Sequence, residues 1–461
     1  MTTAEIIKKT IEQGTKNFEP GGCTSALYLD IIEKVIDGYG KNYIEAVLDG
    51  KEPQFVCIVF RLAGGLSYLI KYGRKSDWFD LWCGLMDISC KMLSEPYENK
   101  GEFDLALQEL VLAMKLLGSK VAPERYKKWH EALSQIDPFS LYGYHMGETE
   151  EQPTVNNITV YGMAGEFLRK SEGMTTDDEY IKKHLDWLLE RFDENGMYVD
   201  PDRAILYDLT TRVRIAIMLH FGYDGKGAKY LDDCLKMSGQ MTLCMQSSQF
   251  QLPYGGRSNP IIFNECLVAS CCEYEAARHK REGNIELAGM YKRCAGKSAQ
   301  SILRWLDQTP PRHYKNLFDI KKGFGTDGYG SFHRYLIPAA CFVGYALLFA
   351  DNEIDEYICP NEVGGYVIET SDYFHKVIAT CADHTIEVEL CADRLHDANG
   401  CGRFHKKDVP IELGLSMPFT AEHKYILPDE ITRKNLSLGA GFRVTDGSIL
   451  YIADMFDQVR P

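Results

Sequence analysis

The 461-residue chain is 45% hydrophobic and 25% charged, the balance of an ordinary globular protein, and it is long for one compact core. Its net charge of −15, from 51 basic and 66 acidic side chains, weighs against non-specific binding to nucleic acid or an anionic membrane. An anionic ligand would therefore have to meet its counter-charge locally.

Met1 to Lys9 opens an amphipathic helix with no apolar run of signal-peptide type. No stretch reaches the roughly 20 apolar residues of a membrane span. Fifteen cysteines lie scattered without a C-x-x-C pair, which reads as reduced core thiols and a cytoplasmic address.

Helical periodicity then repeats, over about 24–38, 54–73, 76–95, 102–118, 123–137, 156–172, 177–194, 203–222, 226–247, 259–282, 285–307 and 331–351. Some of these segments are one-sided: in 177–194, Ile181, Leu185, Leu188, Leu189 and Phe192 share a stripe. Others are apolar nearly all round, as in Phe55 to Ile70 and Leu336 to Ala350, and call for burial on every side. The two kinds alternate, with inner helices starting near 54, 102, 156, 203, 259 and 331. Six inner helices inside six outer ones predict an (α/α)6 toroid over residues 1–355, with all inner N-termini opening on one face. Helix N-termini favour anionic groups.

After Asp351 the period changes. Residues 365–370, 376–380, 385–390 and 449–452 read as strands, so 356–461 is expected to be an antiparallel β-sandwich, making the whole an α+β multidomain chain.

Unusual polar and aromatic segments precede the inner helices. They are Tyr142-Gly143-Tyr144-His145 with Asn156-Asn157, Tyr207-Asp208 to Arg212, Tyr254-Gly255-Gly256-Arg257-Ser258-Asn259 with Asn264-Glu265, and Phe324 to His333. The two glycines after Tyr254 would let backbone amides approach a ligand, and Arg257 would supply a fixed charge. Asp208 and Arg212, spaced i, i+4, share a face and form either a wall ion pair or a carboxylate base held charged by the arginine. Glu265 lies among Ile261, Ile262, Phe263, Leu267 and Val268. It acts as a general acid if it faces the cup, and orders the loop if it pairs with Arg257. Asn157, Asn259 and Tyr207 are candidate hydroxyl or carboxylate binders. Asp327 and Tyr329 lie among glycines, Tyr329 as a stacking surface for a sugar ring, and His333 or Tyr329 could move a proton. In the β-domain, Arg403 and His405 belong to a glycine-rich hairpin expected to reach the toroid mouth. The histidines and cysteine there match no standard zinc spacing, and neither metal nor cofactor is expected.

The order of helical and β-domains is similar to heparinase II/III-like polysaccharide lyases. More closely, Asn156-Asn157 with Tyr161 and Gly165-Glu166, Pro253 to Asn259 with Asn264-Glu265, Asp327-Gly328-Tyr329 and Gly402 to Lys407 resemble the α/α-toroid β-glucuronidases. The resemblance implies an exo-acting glycoside hydrolase that removes a terminal uronic acid from a small oligosaccharide. On the chemistry of the residues, Arg257 and Asn157 would hold the carboxylate, Glu265 would protonate the leaving oxygen, and Asp208 would activate water or attack the sugar. The alternative is a lyase in which Tyr254, Tyr329 or His333 removes the C5 proton. A third reading is a sugar-binding protein without catalysis. A homo-oligomer is compatible with each.

Overall fold

The computed structural model describes residues 1–13, 18–52, 55–94, 102–142, 155–201, 203–393, 395–409, 414–415, 423–427, 441–443 and 449–451. Twelve main helices among them are α1 (Ser25–Tyr39), α2 (Val56–Lys71), α3 (Phe79–Ser94), α4 (Ala106–Leu117), α5 (Pro123–Ser134), α6 (Asn157–Ser171), α7 (Glu179–Leu189), α8 (Ile205–His220), α9 (Ala228–Met245), α10 (Phe263–Arg281), α11 (Ile285–Ser301) and α12 (Phe332–Phe349).

The even-numbered helices touch in order, α2 to α4, α4 to α6, α6 to α8, α8 to α10 and α10 to α12, and α12 returns to α2. Their composition explains that position. Every residue from Val56 to Ile70 is buried, as are Ile205 to Met218, so neither helix has a face for solvent. Five odd-numbered helices lie against this ring, α1 on α12 and α2, α3 on α2, α7 on α6, α9 on α8 and α10, and α11 on α10, while α5 packs on α3. Helix α7 shows the reason, with Tyr180, Ile181, His184, Leu185 and Leu188 on its buried stripe. Helix α12 is also long and apolar enough to cross a bilayer by length and composition, and 72% of it is buried inside the protein. All fifteen cysteines carry free thiols, twelve of them buried.

A five-stranded antiparallel sheet follows, ordered β1 (Tyr366–Glu369), β2 (Lys376–Cys381), β3 (His384–Glu389), β4 (Gly400–Lys406) and β5 (Gly414–Leu415). A separate antiparallel pair joins Gly441–Arg443 to Ile449–Tyr451. Of the glycine-rich segment, Gly400 to His405 lies in strand β4, paired antiparallel with β3. The buried face of the sheet is charged. Lys376 stands opposite Glu389 and Glu387 opposite Arg403 across the strands, so opposite charges meet on the face that abuts the 247–256 loop.

Candidate functional site

The N-terminal ends of all six ring helices line one cavity of about 380 Å³. Arg61 comes from α2, Glu102 and Leu105 from just before α4, Asn157 and Tyr161 from α6, Tyr207 and Thr210 from α8, Phe263 from α10, and Arg334, Tyr335 and Phe342 from α12. Loop residues Asp200, Arg257 and Tyr329 complete the wall. The start of α6 shows how the sequence sets this up. Asn156 caps the helix, its Oδ1 accepting from the backbone of Ile158 (2.9 Å) and Thr159 (3.1 Å), while Thr159 reciprocates to the Asn156 amide. Asn157 is therefore spared capping and faces Asp200, donating to its Oδ2 from both backbone (2.9 Å) and side chain (3.1 Å).

Three arginines give the cavity its character. Arg334 pairs with Glu102. The guanidinium of Arg257 lies 4.6 Å from the ring centre of Tyr207. Arg61 is only 7% exposed, and its guanidinium makes no hydrogen bond or ion pair with any described residue. Burial works against its charge, but Tyr161, Cys57, Cys341 and Glu109 outweigh it and hold the group protonated. A buried, unpaired cation on a cavity wall calls for an anion in the cavity.

Tyr161 is the second notable group. Its ring centre lies 3.5 Å from the Arg214 guanidinium, and the residue lines the cavity. Burial pushes the phenol up to about 12, while Arg214 and Arg61 act in the opposite direction and favour the phenolate. Beneath it Glu109 accepts from the Tyr345 hydroxyl, which also takes a bond from Gln108 at 2.8 Å.

The residues singled out from the sequence divide into two groups. Asn157, Tyr207, Arg257 and Tyr329 come together at the cavity, where the Tyr207 hydroxyl meets those of Ser258 and Tyr329, each at 2.9 Å. Glu265, Asp208, Arg212, Tyr254, His333, Asn259, Asp327, Arg403 and His405 do not line it. Glu265 is fully buried and ion-paired with Lys315 at 2.7 Å, so the expected partnership with Arg257 is replaced by one from a loop that sequence spacing does not reveal. Asp208 and Arg212 do pair, at 2.8 Å, but Arg212 also donates to Thr242 of α9, so the pair faces the outer helices. Asp208 is not held low by the arginine: burial raises it to about 6 despite Arg212 and the Tyr198 amide. Tyr254 is buried against Tyr425 and Arg403. His333 stacks on Tyr43 with ring centres 4.5 Å apart, and burial lowers its pKa. Asn259 accepts from Asn264 at 2.6 Å through its carbonyl.

Other positions hold the loop rather than a ligand. Asp327 accepts from Ser258 N (2.7 Å) and the Tyr314 hydroxyl (2.8 Å). Arg403 donates to the Leu252 carbonyl, and His405 meets Ser247 at 2.8 Å. Amides of the loop expected to greet a ligand are likewise taken by carboxylates of strand β3 and of the connection after it: Tyr254 N donates to Glu387 (2.8 Å) and Gly256 N to Asp397 (2.6 Å). Tyr142 bonds Glu166, and residues 143–145 lie outside the described residues. Sequence reasoning missed Arg61, Glu102, Asp200 and Arg334. A usable signal exists for Arg61, a lone arginine within an otherwise apolar helix.

No protein-family model matches the chain, and no curated protein matches it. Among solved structures it is similar to a polysaccharide lyase at 12% identity and a TM-score of 0.45, over 70% of this chain and 98% of that one. At that identity and score the likeness assigns no activity.

Proposed function

We propose that the chain is a carbohydrate-processing enzyme of (α/α)6-toroid architecture that cleaves a uronate-bearing oligosaccharide by β-elimination in the ring cavity. The observation that carries this reading is Arg61, an unpaired guanidinium buried on the cavity wall, with Arg257 also lining it. Together they would neutralise a uronate carboxylate and so acidify the proton at C5. Tyr161, in the small phenolate fraction that Arg214 and Arg61 favour against burial, takes that proton. The C4–oxygen bond breaks, its electron pair leaves with the oxygen, and a C4–C5 double bond forms. Tyr161 then returns the proton to the leaving oxygen. No carboxylate lining the cavity is free to act as simply: Glu102 is paired with Arg334 and Asp200 receives the Asn157 amides.

A second reading, hydrolysis of a terminal uronide by a β-glucuronidase-like reaction, is favoured by those same two carboxylates lining one cavity. Glu102 and Asp200 would then take the acid and base roles first sought in Glu265 and Asp208. Incubation with uronate oligosaccharides separates the readings. Elimination conserves total mass and creates an ultraviolet-absorbing double bond, whereas hydrolysis adds water and creates none. Tyr161→Phe should lower kcat by roughly a hundredfold or more, as loss of a general base does, with little change in KM. Wild-type turnover by Tyr161→Phe with water incorporated would overturn the elimination mechanism.

A further inference from the structure

Two charged side chains sit inside the apolar ring without lining its cavity: Arg214 of α8, fully buried, and Glu109 of α4, at 1% exposure. The Arg214 guanidinium lies 3.5 Å from the ring centre of Tyr161, 5.0 Å from that of Phe342 and 5.1 Å from that of Tyr345. Its Nη1 reaches the Thr210 carbonyl at 3.3 Å, one turn back on the same helix, while Nε and Nη2 have no hydrogen-bond partner among the described residues. A buried arginine that serves only the scaffold is expected on a carboxylate, with its fork satisfied. This one turns its charge on aromatic faces, and Tyr161 is the nearest of them.

Glu109 accepts from the Tyr345 hydroxyl, and its carboxylate lies against Gly64 of α2, where a Cβ would come within 3.0 Å of Oε2. Glycine at that place makes room for a carboxylate between two ring helices. The titratable and charged groups that act on Tyr161 thus come from four elements: Arg61 of α2, Glu109 of α4, Arg214 of α8 and Cys341 of α12. The two arginines favour its phenolate, and Glu109 and Cys341 oppose it. Arg61 lines the cavity, so a bound uronate carboxylate offsets its charge. Arg214 does not, and its effect persists in the substrate complex.

We propose that Arg214 and Glu109 are positioning residues that act through Tyr161 from beneath the cavity, the arginine fixing its ring and supporting a negative oxygen, the carboxylate restraining it. The assignment rests on the reading of Tyr161 as the base and adds what sets the pH at which it works. Burial raises the Glu109 carboxyl, opposed by Tyr345, Arg214 and Arg61. Protonated, Glu109 is neutral and leaves the phenol alone; ionised, it makes the phenolate harder to form.

The test is the pH dependence of kcat on uronate oligosaccharides for the full chain and its Glu109→Gln, Arg214→Gln and Arg214→Lys variants. Fluorine NMR of each, with a fluorinated tyrosine at position 161 whose more acidic phenol titrates at lower pH, reads the same ionisation without substrate. Glu109→Gln keeps an oxygen for the Tyr345 hydroxyl. It should match wild type at low pH and exceed it several-fold once the wild-type carboxylate forms. Arg214→Gln should lower kcat roughly tenfold or more at fixed pH, the effect of removing one close opposite charge, with KM unchanged. Arg214→Lys should recover part of the loss. The fluorotyrosine should titrate lower in Glu109→Gln and higher in Arg214→Gln. If Arg214→Gln does not fold, Glu109→Gln decides alone. Superimposable wild-type and Glu109→Gln profiles, or a probe that Glu109→Gln leaves in place, overturn the proposal, and the elimination reading stands if Tyr161→Phe is inactive. A probe that moves as expected while Tyr161→Phe keeps wild-type turnover overturns the elimination reading and leaves the control of the phenol by Arg214 and Glu109 standing.

Discussion

Arg61 occupies the middle of a helix from which every other charge is missing until Lys71. A guanidinium withdrawn from water without a partner costs free energy, and such a cost is kept where it serves a ligand. Arg61→Met keeps the length of the side chain and removes the charge. It should lower uronate affinity roughly tenfold to a hundredfold, the worth of hydrogen bonds to a charged group. Stability should hold or rise, by about 1–3 kcal/mol, because the unpaired charge is gone. Calorimetric titration and thermal unfolding read the two effects separately. Unchanged affinity with a lowered Tm would mark Arg61 as a scaffold group. The same logic explains why Asp208 and Glu265 drew attention in the sequence. An ionisable group amid apolar neighbours is unusual wherever it points, and Arg212 and Lys315 satisfy these two away from the cavity.

At the scale of elements, the loop carrying Arg257 is fastened by the sheet. Glu387 and Asp397 accept two of its amides, and Asp327 accepts that of Ser258. Gly255 adopts φ +130°, and a side chain there would collide with Lys376 Nζ and crowd Asp397 and Glu389. Gly255→Ala should therefore destabilise the chain by about 1–3 kcal/mol. It should also lower activity through displacement of Arg257, with denaturant unfolding and initial rates as the measurements. Much of the helical plan was legible. A helix apolar all round has one solution, burial, so Val56–Lys71 and Phe332–Phe349 announce themselves as inner elements. Spacing also indicated that Asp208 meets Arg212. It could not say whether they face the cavity or α9, because a fully buried helix has no polar face to orient it. The charged inner face of the sheet was hidden for a related reason: Lys376, Glu387, Glu389 and Arg403 alternate as solvent-facing residues do, and only their mutual pairing takes them inside.

For the whole molecule, a net charge of −15 surrounds a cavity with three arginines on its wall. A short uronide carries little charge past that exterior, whereas a long polyuronate meets repulsion over its whole length. The rate constant kcat/KM should therefore favour di- and trisaccharides over polymer at low salt. Raising ionic strength from about 0.01 to 0.15 M, which shortens the screening length from about 30 to 8 Å, should narrow the gap by accelerating polymer turnover. Steady-state rates across a salt series check this, and a polymer rate that falls with salt would point to a basic approach surface instead.

Closure of the ring by α12 has a consequence for biosynthesis. This helix packs on α1 and α2, which lie far ahead of it in the chain and are synthesised well before it. Until α12 is made, α2 has no partner for the flank that α12 will cover, and a nascent chain halted before Phe332 would present that bare surface to chaperones and aggregation alike.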